Sequence, residues 1–83
     1  MNIVIHQHAL ERMKERGATL TEVNDTILNG EKFPAKFNRS AFRCNFTYND
    51  NWNGTFYNNK QIEAIAVNEN SKWIVITVIV KYF

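Results

Sequence analysis

His8, Arg12 and Arg16 follow one another at intervals of four in the segment "HQHALERMKERG", residues 6–17. On an α-helix each step of four turns only about 40° around the axis, so one imidazole and two guanidinium groups share a stripe. An imidazole exchanges a proton near neutral pH, and a guanidinium holds phosphate oxygens in a planar, permanently charged fork. Together they meet the needs of metal-free phosphodiester cleavage: an acid or base, and positive charge where negative charge develops at phosphorus. The same spacing is also that of a solvated helix whose arginines pair with carboxylates such as Glu15. His6 lies two residues from His8 and so on another side, where it serves as a helix cap or as the end of an entry strand.

Residues from later in the chain can join this stripe if one sheet face abuts it. Arg43, Lys81 and Tyr82 are candidate phosphate contacts; the plainer reading is a surface arginine and a lysine that snorkels at the chain end. Thr77 interrupts the apolar run Trp73–Val80. A buried hydroxyl there needs a partner, either neighbouring backbone or a bound phosphate. Among the aromatic residues, Trp52 in the turn-forming stretch "NDNWNG" is best placed to expose a ring for stacking on an unpaired base, while Phe42, Tyr48, Phe56 and Tyr57 suit core packing equally well. Cys44 shares an alternation face with Phe42 and Phe46 and reads as a small buried apolar residue.

One cysteine excludes an internal disulfide and suggests a reducing, cytoplasmic setting. The chain has no glycine-rich phosphate loop, no carboxylate cluster and no metal-ligand spacing, so neither a metal nor another cofactor is expected. No signal peptide or membrane-spanning run is legible, and no membrane partner is expected.

The elements that must carry these residues follow from periodicity. Ala9, Leu10 and Met13 recur at helical intervals through Arg16, and Gly17 ends that helix. Thr19 and Glu22 have capping-box spacing and open a second helix, with Leu20, Val23 and Ile27 on its apolar stripe and Asn29-Gly30 at its end. Pro34 marks residues 31–37 as an irregular connection or a short edge strand. Ala41, Arg43, Asn45 and Thr47 alternate with Phe42, Cys44, Phe46 and Tyr48, the period of a half-buried strand. A short strand at Thr55–Tyr57, a turn at residues 58–60, and strands at Gln61–Val67 and Lys72–Tyr82 complete the pattern, the last two joined as an antiparallel hairpin through "NENS".

The expected architecture is therefore α+β: two N-terminal helices packed on a four-stranded antiparallel sheet, in a single domain spanning residues 1–83. Eighty-three residues with 45% hydrophobic and 22% charged side chains suit one modest core. A net charge of +2 permits nucleic-acid binding without requiring it.

The stretches "HALERMKERG", "TLTEVNDTILNGE" and "WIVITVIVKYF" resemble the small bacterial domain-of-unknown-function family numbered 4258, most closely over residues 8–30 and 73–82. That family looks like part of a wider group of metal-independent ribonuclease folds that includes RelE, ParE and BrnT toxins and colicin-type RNase domains. The resemblance implies the same two helices on a four-stranded sheet and a toxin-like endoribonuclease held in check by an antitoxin or other regulatory protein. It further implies attack of a ribose 2'-hydroxyl on RNA, with His8 moving a proton, Arg12 and Arg16 stabilising the phosphorane, and Thr77 at the final-strand threonine. The competing expectation is a non-catalytic module of the same fold that holds a partner protein through a sheet edge or the turn around Trp52. Pairing of two copies into a homodimer at a sheet edge is a further possibility.

Overall fold

The chain enters its first helix through His6, whose extended backbone and Nδ1 acceptor cap the His8 amide at 3.1 Å. The helix ends at Gly17, whose φ of 80° is the left-handed conformation that glycine adopts without a side-chain penalty. The second helix starts on the expected capping box, with Thr19 and Glu22 bonding each other's backbone amides. In the computed structural model, which describes residues 2–83, the elements are β1 (Asn2–Ile5), α1 (Gln7–Arg16), α2 (Leu20–Asn29), β2 (Glu31–Ala35), β3 (Arg39–Trp52), β4 (Thr55–Glu69) and β5 (Lys72–Tyr82).

The five strands form one sheet in the order β1-β5-β4-β3-β2. This corrects the expected four-stranded antiparallel sheet behind two N-terminal helices. A strand precedes the helices, and β1 pairs parallel to β5, so the sheet is mixed. Four residues, "NIVI", carry too short a pattern to announce a strand, and the partner lies at the other end of the chain. The expected break at residues 58–60 is also absent: β4 runs unbroken from Thr55 to Glu69. Two tight turns fix the long hairpins. Asn53 and Gly54 both have positive φ, as do Asn70 and Ser71, the requirement of the two-residue turn that matches strand twist.

Alternation along the strands sets two unlike faces. One carries Phe42, Ile62, Ala64, Val75 and Val78 under Ala9 and Met13 of α1 and Val23 and Ile27 of α2, forming the core. The other is not covered by any helix and carries Ala41, Ile65 and Thr77 in one cross-strand row, with Arg43, Glu63 and Ile79 in the next. A bulge in β5 lets Val75 and Val78 both face the helices, since Ala66 pairs with Val75 while Ile65 pairs with Thr77. Ile76 is the extra residue, and Thr77 is turned away from the core.

Candidate functional site

Arg16 sits where α1 meets the rim of the sheet. β1 covers β5 only as far as Val75, whose carbonyl accepts from the His6 amide at 3.0 Å. Beyond it, β5 is an edge. Asn59 and Phe83 exchange both backbone hydrogen bonds, at 2.8 and 3.0 Å. Because narrow and wide pairs alternate in an antiparallel ladder, Lys81, Ile79 and Thr77 also bond β4, while the amides and carbonyls of Tyr82, Val80 and Val78 point the other way. The Arg16 guanidinium donates to the Val78 carbonyl at 2.7 Å, on that outward side. Val78 is fully buried, whereas Val80 and Tyr82 are half-buried and their outward backbone groups have no partner among the described residues.

A second cluster locks the corner between the helices onto the sheet. Lys60, buried at 4% exposure, donates to the Gly17 carbonyl and to Glu22 Oε1, the latter at 2.8 Å. Its ammonium lies 5.5 Å from the Tyr48 ring centre. Burial pushes the Glu22 carboxyl up, but the hydrogen bond and charge of Lys60 and the Thr19 amide outweigh it, leaving the group below its ordinary 4.5. Tyr82 donates its hydroxyl to the Arg16 carbonyl at 2.7 Å. Burial, then the neighbouring Tyr48 and Glu22, push that hydroxyl up to about 12. This cluster is satisfied within the protein and acts as a clamp.

The expected site residues divide between the two sides of the sheet. His8 is exposed, Arg12 is partly exposed and ion-paired to Glu15 at 2.9 Å, and Arg16 borders the core, so the three do form one stripe on α1. Tyr82 and Trp52 lie near its C-terminal end. Trp52 is not a free platform: its ring stacks on Tyr82 with centres 4.9 Å apart and packs against Gly17, where an added Cβ would meet it at 2.7 Å. Trp52 lies near the tip of the β3–β4 hairpin, beyond the register shift between Thr47 and Asp50.

Arg43, Thr77 and Lys81 belong to the opposite, uncovered face and do not meet His8, Arg12 or Arg16. Arg43 pairs with Glu31 at 3.1 Å and lies 4.8 Å above the Phe33 ring. Lys81 is exposed beside Gln61, and as the neighbour of Tyr82 on a strand it must point to the other side. Cys44 is half-buried rather than buried, with burial and then the nearby Asp25 raising its thiol.

Sequence reasoning missed Lys60 and Glu22 as partners. The signal was present: Lys60, Ile62, Ala64 and Ala66 share one parity, which places the lysine on the apolar face once the turn at residues 58–60 is given up. No enclosed pocket is present among the described residues, and no three of their His, Cys, Asp or Glu side chains gather to hold a metal. No helix among them is long and apolar enough to cross a membrane. The family model described as "Domain of unknown function (DUF4258)" matches residues 5–80. No curated protein and no solved structure matches the chain.

Proposed function

We propose that this chain, which belongs to the family described as "Domain of unknown function (DUF4258)", is a protein-binding module that takes an extended segment of a partner protein as an added strand along β5. The outward backbone groups of Val80 and Tyr82, bare where β1 stops short, carry this reading. An extended segment bonds such a row through its main chain, and side chains at alternate positions give specificity. Sheet edges are ordinarily short, charged or covered, so a bare stretch beside a packed helix is a natural point of attachment. The single cysteine supports a reducing, cytoplasmic setting for the binding.

The nuclease implied by the wider resemblance needs its phosphate contacts around one point, and His8, Arg12 and Arg16 lie across the sheet from Arg43, Thr77 and Lys81. Strand addition needs no such convergence. The test is Val80→Pro, which removes one outward amide while leaving the bonds to β4 in place. In the native host the tagged full-length chain should elute in a stoichiometric complex, and the Val80→Pro chain, with unchanged circular dichroism, should elute without its partner. A chain that elutes alone and cleaves RNA, with cleavage lost in His8→Ala, overturns the binding reading in favour of the nuclease.

A further inference from the structure

We infer that the segment received by β5 is acidic, alternating carboxylate and apolar side chains, with its carboxylates against Arg16 and Arg12 of α1. The inference rests on the strand-addition reading and supplies the chemistry of its partner. Arg16 carries a permanent charge at the border of the core, yet among the described residues its side chain pairs with no carboxylate; its partner is the neutral Val78 carbonyl at 2.7 Å. That carbonyl is also the next backbone acceptor along the free edge after Val80. An amide from an entering strand competes with the guanidinium for it. A carboxylate on the same strand then gives Arg16 a stronger, bidentate acceptor.

The pleat decides where that carboxylate sits. Side chains of an added strand alternate between the side of α1 and the uncovered side of the sheet. On the α1 side they meet Arg16, which reaches the Val78 carbonyl on that edge, and Arg12 stands four residues earlier on the same helical stripe. Arg12 is held by Glu15 in a solvent-exposed i,i+3 pair, which is weak and readily exchanged. On the other side they meet Ile79, 45% exposed and available for apolar contact. Lys81 on that face adds to the positive field that draws an acidic segment in. Arg16 thus closes the edge while the chain is alone and opens it to a strand of the right charge.

The experiment titrates the full-length chain into a fluorescently labelled seven-residue peptide alternating valine and glutamate, read by anisotropy. Its counterparts alternate valine with lysine, or carry N-methyl groups on the valine–glutamate backbone. The valine–glutamate peptide should bind, the lysine peptide should bind at least tenfold more weakly, and N-methylation should abolish binding. Arg16→Met, checked for an unchanged circular dichroism spectrum, should weaken the acidic peptide at least tenfold. If the lysine peptide binds as tightly, and N-methylation of the acidic peptide still abolishes its binding, the acidic preference is overturned and strand addition survives. If the N-methylated peptide binds as tightly as its parent, or no peptide binds, both fall.

Discussion

At Lys60 a single charged side chain is buried on the apolar face of β4 because three partners receive it: the Gly17 carbonyl, the Glu22 carboxylate and the Tyr48 ring. Burying a charge without such partners costs several kcal/mol, so the clamp is required once the strand parity is set. Its pH dependence has a definite sign. Glu22 titrates below its ordinary 4.5 in the folded chain, so its contribution is complete above pH 4.5 and is lost as pH falls through the lower folded value. Thermal melts of the wild type between pH 6 and pH 3 should show a falling midpoint, and Glu22→Gln should start lower and flatten that limb. Identical acid limbs for the two proteins would remove the ion pair from the account. The stripe of His8, Arg12 and Arg16 was legible from spacing alone. The role of Arg16 was not, because its acceptor is a backbone carbonyl, which no pattern of side chains announces. Lys60 was hidden by reading residues 58–60 as a turn, which masked its shared parity with Ile62, Ala64 and Ala66.

At the scale of elements, both helices, the capping box and the left-handed Gly17 follow from local chemistry and were legible. Gly17 also has a tertiary reason to be glycine. A Cβ there would meet the Tyr82 hydroxyl at 2.5 Å and the Trp52 ring at 2.7 Å. Gly17→Ala should therefore cost about 1–2 kcal/mol from the left-handed backbone, with displacement of the two rings adding to it. Urea denaturation followed by tryptophan fluorescence measures both, and an unchanged midpoint would show that the hairpin tip does not press on the corner. β1 and the continuity of β4 were not legible. β1 is defined by a parallel partner about seventy residues away. In β4 the residues 58–60 that read as a turn are held extended at Asn59, which pairs with Thr47 on one side and Phe83 on the other.

At the scale of the molecule, the sheet decides which residues can act together. It places Arg43, Thr77 and Lys81 on one face and the α1 stripe on the other, a division fixed on β3 by the alternation of Arg43 with the core-facing Phe42 and on β5 by the bulge, which inverts parity after Val75. A strict alternation along Trp73–Val80 would have left Thr77 on the core side, so Thr77 was turned from the α1 stripe by one inserted residue, while Arg43 was turned from it by the alternation of its own strand. What the same ladder produces is an edge with its amides directed outward at Val80 and inward at Ile79. Amide hydrogen exchange resolved by NMR tests this most directly. In the free chain the Val80 and Tyr82 amides should exchange at least roughly tenfold faster than that of Ile79, and the alternating valine–glutamate peptide should slow them selectively. Equal protection of Val80 and Ile79 in the free chain, or no slowing at Val80 with the peptide bound, would contradict strand addition at β5.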